Sequence, residues 1–167
     1  MPVTVAQTAG FCFGVDRAVN TVYELLKSGK KAATLGPIIH NPQLVEDLRK
    51  RGVKIVESPR EVSPGYTLVI RSHGVPESVE AEIEELGLPC VDATCPFVKK
   101  IHQLAKRAGE EGKPFLLFGD RDHPEVQGII GHCGGEYFVL KNREELQKLL
   151  ENNSDLEKKP LVVAAQT

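Results

Sequence analysis

The chain has 167 residues, enough for one ordinary domain or two small ones with a buried core. Its 41% hydrophobic and 26% charged residues place it among globular rather than disordered proteins. With 21 basic against 23 acidic side chains there is no broad positive field to attract nucleic acid, and no apolar run approaches the roughly 20 residues that span a bilayer.

In chain order, the N-terminus Met1-Pro2-Val3-Thr4-Val5 lacks the basic region and long apolar stretch of a signal peptide. A cytoplasmic location is therefore expected, where the four cysteines would be thiols rather than two disulfides. Val3–Gln7 reads as a strand. Val15–Lys27 reads as a helix, with Ala18, Val19, Val22, Leu25 and Leu26 at helical spacing. A strand at Ala32–Leu35 is followed by a helix at Pro42–Arg51, which Asn41 would cap and Gly52 would end. Strands at Val53–Val56 and Tyr66–Ile70, a helix at Pro76–Leu86, a strand at Pro89–Val91 and a helix at Pro96–Ala108 continue the alternation.

A second stretch of the same kind runs through Pro114–Phe118 (strand), Pro124–Ile130 (helix), Tyr137–Leu140 (strand) and Arg143–Leu150 (helix). A polar loop over Glu151–Lys159 leads to a final strand, Leu161–Ala165. This order predicts parallel α/β sheets in two similar small lobes, 1–95 and 96–167, the second incomplete at its C-terminus. A parallel strand is normally followed by a helix that covers the sheet. The chain is therefore expected to be part of a longer protein with a third lobe.

Chemistry-bearing residues fall at the turns. Cys12, in Ala9-Gly10-Phe11-Cys12-Phe13-Gly14-Val15, and Cys95, in Asp92-Ala93-Thr94-Cys95-Pro96, each sit between a predicted strand and a helix. A helix N-terminus favours the thiolate, the form that ligates metal. Two widely spaced cysteines also fit two unrelated core residues, and a full metal site needs more ligands. Cys90 reads as a core residue, and Cys133 as buried or exposed. His40, His73 and His123 each follow a predicted strand, beside Gly or Pro. One loop histidine is ordinarily just solvated, but three on one sheet edge with two cysteines indicate an anion site. Glu125 opens a helix near His123, where it can relay protons or simply complement the helix dipole. Thr167 places a hydroxyl on the same edge, or is only a terminal residue. Arg71 and Arg121 fit phosphate contacts or structural ion pairs. His102 and His132 receive no role. There is no Walker loop, G-x-G-x-x-G or nucleophile elbow.

Five blocks in order resemble the N-terminal part of the LytB/IspH family of hydroxymethylbutenyl diphosphate reductases. They are Ala9–Val15, Leu35-Gly36-Pro37-Ile38-Ile39-His40-Asn41-Pro42, Arg71-Ser72-His73-Gly74-Val75-Pro76, Val91-Asp92-Ala93-Thr94-Cys95-Pro96 and His123-Pro124-Glu125-Val126. The resemblance implies three α/β lobes around a 4Fe–4S cluster, held by three cysteines and open to substrate at the fourth iron. Cys12 and Cys95 match two of those ligands; the third lies beyond residue 167. It implies that His40, His73 and His123 bind the diphosphate. Glu125 would donate protons, linked to the substrate hydroxyl through Thr167. The implied reaction is reductive dehydroxylation of 4-hydroxy-3-methylbut-2-enyl diphosphate to isopentenyl and dimethylallyl diphosphate, with ferredoxin or flavodoxin as electron donor. With two of three cysteines, this chain alone is expected to be inactive and to expose apolar surface. A cluster-free dithiol oxidoreductase and a non-catalytic phosphate-binding module are the competing readings.

Overall fold

The computed structural model describes residues 2–7 and 9–167. It contains two all-parallel sheets joined by helices, the α/β class expected from the strand–helix alternation. The first sheet holds β1 (Lys31–Leu35), β2 (Lys54–Val56), β3 (Tyr66–Ile70) and β4 (Cys90–Asp92), in the order β2-β1-β3-β4. The second holds β5 (Phe115–Phe118), β6 (Tyr137–Leu140) and β7 (Val162–Ala165), in the order β6-β5-β7. The helices are α1 (Phe13–Lys27), α2 (Pro42–Lys50), α3 (Glu77–Glu85), α4 (Pro96–Glu110), α5 (Pro124–Ile130) and α6 (Arg143–Asn152). Among the described residues no helix is long and apolar enough to cross a membrane.

Strand alternation divides the core. Ala32 and Val69 face α1, where Ala18, Val19 and Val22 are buried, while Ala33, Leu35, Leu68 and Ile70 face Ile83 of α3. In the second sheet Phe115 and Leu117 pack on α4 and α5, and Leu116 packs on the α6 side. The central strands β3 and β5 are apolar on both faces, as parallel strands covered by helices must be. Side-chain caps start the helices where the sequence offers them. Asn41 accepts from the Leu44 amide at 3.1 Å, and Asn142 accepts from the Glu145 amide at 3.0 Å.

Two expectations fail. Val3–Gln7 forms no strand: Val3 is 89% exposed and Val5 74%, and among the described residues no strand pairs with the segment. An alternating pattern makes a strand only where a partner edge is available. Cys90 is not a core residue. It lies on β4, at the open edge of the first sheet, and is exposed. The predicted loop over Glu151–Lys159 contains a short 3₁₀ turn, Leu156–Lys158, whose Leu156 is buried against Leu116 and Leu140.

Candidate functional site

The carboxyl ends of β1, β3 and β5 each release the chain into a turn that carries one histidine. The rings of His40, His73 and His123 meet, with centroids 4.9 Å apart (His40–His73), 5.2 Å (His73–His123) and 5.7 Å (His40–His123). Their ligating atoms all lie within 4.8 Å of one another. His40 is exposed and the other two are half-buried.

The hydrogen bonding of this triad selects among its uses. His123 caps α5, its Nδ1 accepting from the Glu125 amide at 3.1 Å. A neutral imidazole bonded this way carries its proton on Nε2, so it offers a donor and no free lone pair. Burial lowers the pKa of His73 to about 4, aided by His40, Arg71 and His123 nearby. His73 is therefore neutral near pH 7, and its buried Nδ1 has no partner among the described residues. With the His123 Nε2–H as a donor and the His40 and His73 rings beside it, able to present N–H groups in the matching tautomer, the cluster suits an anion.

Glu125 sits in the first turn of α5 and is only 4% exposed. One carboxylate oxygen accepts both the Thr167 amide, at 2.7 Å, and the Thr167 hydroxyl, at 2.8 Å. Thr167 reaches it because Gln166 continues the β7 register, donating its amide to Phe118 O at 2.8 Å. The Gln166 side chain accepts from the Asp120 amide and fastens the turn before His123.

Both matched cysteines occupy helix cap positions, Cys12 before α1 and Cys95 before α4, and neither uses its side chain as a cap. Cys12 does not follow a strand as expected, because Val3–Gln7 is not one; it stands at a helix N-terminus nonetheless. The two sites adjoin: a Cβ built on Gly14, two residues after Cys12, would lie 2.6 Å from Cys95 Sγ. Arg17 of α1 reinforces this by donating to Thr94 O (2.8 Å) and Asp92 O (3.3 Å). Asp92 accepts from the Thr94 amide at 2.8 Å and pairs with Lys99. Burial alone would raise the Asp92 carboxyl, but Lys99 and Thr94 outweigh it and hold the pKa below the usual value. The Cys95 amide in turn donates to Ser72 O at 2.9 Å, joining the Cys95 turn to the His73 turn.

Cys12, Cys95, Ser72, His73, Glu125 and Thr167 all line one cavity of about 450 Å³, walled also by Phe13, Gly14, Val15, Phe97 and Val98. Phe11, Phe13 and Phe97 remain exposed beside it. The thiols are free, and the absence of a side chain at Gly14 lets Cys95 Sγ lie directly against the start of α1. Two cap-position thiols on one cavity fit two ligand positions of an iron–sulfur group. Cys90 and Cys133 do not line that cavity.

The sequence did not single out Ser72, Phe97 or Val98. The helical offset of Val98 and His102 from Cys95, three and seven residues, was the available signal. Neither Arg71 nor Arg121 forms an ion pair among the described residues. The Arg71 guanidinium packs on Gly36, where burial lowers its pKa.

Comparison with known proteins agrees with this picture. The family model described as LytB protein matches residues 3–167. A 4-hydroxy-3-methylbut-2-enyl diphosphate reductase of Solidesulfovibrio magneticus is 44% identical over 155 residues, covering 89% of this chain and 54% of the relative. The enzyme of that name from Pelobacter propionicus is 46% identical over 149 residues, covering 89% and 53%. A solved (E)-4-hydroxy-3-methyl-but-2-enyl diphosphate reductase, described as the terminal enzyme of the non-mevalonate pathway, superposes with a TM-score of 0.79 at 40% identity. It covers 99% of this chain and 58% of the solved one. A Plasmodium falciparum reductase structure gives a TM-score of 0.84 at 30% identity, covering 96% and 50%. The chain thus spans about half the length of the curated relatives it matches. By the family model, the shared fold and these identities, the chain belongs to the LytB protein family.

Proposed function

We propose that this chain provides the diphosphate-binding rim, the proton-donating carboxyl and two of three cluster cysteines of a 4-hydroxy-3-methylbut-2-enyl diphosphate reductase. The observation that carries the reading is the shared cavity: Cys12, Cys95, His73, Glu125 and Thr167 line one space, beside the rings of His40 and His123. The names of the relatives supply the substrate class. In this reading lobes 1–95 and 96–167 face each other across that space.

His40, His73 and His123 hold the diphosphate through imidazole N–H donors, which fixes the position of the allylic carbon chain. Glu125 holds the proton that converts the departing hydroxyl to water. Thr167, bonded to Glu125 through its amide and hydroxyl, keeps that carboxyl aimed and offers its own hydroxyl as a link to the substrate oxygen. The overall change takes up two electrons and two protons: the C–O bond breaks, water leaves, and the allyl unit gains one hydrogen. Cys12 and Cys95, with a third cysteine outside this chain, would hold a 4Fe–4S group, which supplies Lewis acidity and single electrons when bound. A cytoplasmic ferredoxin or flavodoxin would renew those electrons.

The test is Glu125→Gln in anaerobically purified full-length protein. Turnover is expected to fall about 10²- to 10⁴-fold, the usual worth of a positioned proton donor. Iron content and inorganic diphosphate binding should stay at wild-type levels. An unchanged rate in the variant, or full activity in iron-free wild-type protein, would overturn the proposal.

A further inference from the structure

We propose that His102 is a positioning residue of the anion rim: a flat spacer that locks the His73-Gly74 turn of the first sheet against the helix bearing Glu125. The inference rests on the diphosphate reading above and extends it to a residue that lines no part of the cavity.

His102 lies on α4, seven residues beyond Cys95, and is 6% exposed. Its ring stacks on His132, with centroids 4.1 Å apart and an interplanar angle of 22°. His132 is itself tied down. Its Nδ1 lies 2.8 Å from Gly128 O, and its Nε2 lies 3.6 Å from the Glu80 carboxylate of α3. The His102 Nε2 is sealed from solvent and has no hydrogen-bond partner among the described residues. What the ring contributes through that edge is therefore shape and not a hydrogen bond.

The surroundings show what that shape holds. A Cβ on Gly74 would come 2.5 Å from His102 Cε1, and Gly74 has φ +72°, which favours glycine. A Cβ on Gly128 of α5 would meet His102 Nε2 at 3.3 Å and His73 O at 3.4 Å. Three elements converge with no slack. They are the turn that aims His73, the helix that begins with His123 and Glu125, and the His102 plate between them. Displacement of a binding group by about 1 Å costs on the order of 100-fold in a preorganised site. Loss of the plate lets the His73 turn settle into the vacated space.

The experiment uses the full-length protein, with inorganic diphosphate as probe and calorimetric titration as readout. The NMR signal of the His73 ring is followed in parallel. His102→Ala is expected to weaken binding at least 10-fold and to shift the His73 ring signal. Leu116→Ala, a core truncation on the far side of the second sheet, should lower the melting temperature yet leave both readouts unchanged. Gly128→Ala is expected to weaken binding several-fold while keeping helical content, because alanine favours the helix but wedges against His102 and His73 O. If His102→Ala does not fold, Gly128→Ala decides. Wild-type affinity in a folded His102→Ala or in Gly128→Ala, or an equal loss in Leu116→Ala, would overturn the proposal. Should the wild type bind no diphosphate, the rim reading itself fails, and the His73 ring signal alone then decides the positioning claim.

Discussion

The molecule holds two groups of histidines that use one side chain in opposite ways. At the rim, His40, His73 and His123 stand tilted or edge-on, 4.9 to 5.7 Å apart, in three separate turns. Beside the Gly74 turn, His102 and His132 lie nearly parallel at 4.1 Å, both buried, on or just after helices. In the tilted set the nitrogens do not bond one another, and His123 keeps its Nε2 clear of the helix cap that its Nδ1 makes. In the stacked set the ring faces meet, His132 bonds Gly128 O through Nδ1 and faces the Glu80 carboxylate through Nε2, and His102 packs its edge against Gly74. The proposed roles, a donor array in one place and a packing plate in the other, thus differ in ring geometry and not in residue type.

The sharpest way to probe this contrast is acid. Burial, assisted by His132, lowers the pKa of His102 from 6.5 to about 4. The unfolded chain then binds more protons than the folded one between those values, so stability rises with pH across that window. The contribution is fully present above pH 6.5 and is lost as pH falls toward 4. One such histidine contributes up to about 1.4 kcal/mol per pH unit, or roughly 3 kcal/mol over the whole window. The half-buried His73 ring acts in the same direction. Urea unfolding at intervals from pH 7 to 4 should therefore show a shallower pH slope in His102→Ala than in wild type. Equal slopes would mean that the folded and unfolded chains protonate His102 over the same pH range, so that burial does not hold the ring neutral.

A second comparison removes a rim donor instead. His73→Ala should weaken inorganic diphosphate binding about 10- to 100-fold, the worth of one hydrogen bond to a charged group. It should also reduce the acid slope, since His73 is partly buried. A His73→Ala protein that binds diphosphate normally would place the anion elsewhere.

The smallest expected effect lies away from both groups. Asn142→Ala removes the cap of α6 and should cost about 1 kcal/mol in chemical denaturation. Anion affinity and the acid slope should not change, so this variant shows what a purely structural loss looks like.

Most of the architecture was readable because parallel strands here are short apolar runs closed by Gly or Pro turns. Tyr66–Ile70 and Phe115–Phe118 are of this kind, and helices with clear starts follow them. Val3–Gln7 was misread because alternation of Val3 and Val5 records a preference, while a strand requires a partner edge. Cys90 was misread because a small sulfur residue on β4 looks apolar, whereas its exposure follows from β4 being the end of the sheet order. The rim was legible only in part: His40 and His73 leave the neighbouring strands β1 and β3, but His123 leaves β5 of the second sheet, so the expected single sheet edge is two edges, and the meeting of the three rings is not specified by strand order. The stacked pair was not legible. His102 and His132 are brought together by the packing of α4 on α5, which no local pattern records. The shared carboxylate of Glu125 and Thr167 spans 42 positions and likewise depended on sheet pairing.

The double attachment of Thr167 has a consequence for any attempt to dissect proton delivery. Because its main-chain nitrogen anchors the acid independently of the side chain, Thr167→Val keeps one tether and deletes only the alcohol. Orientation and relay, usually inseparable by mutation, are here separable with a near-isosteric exchange.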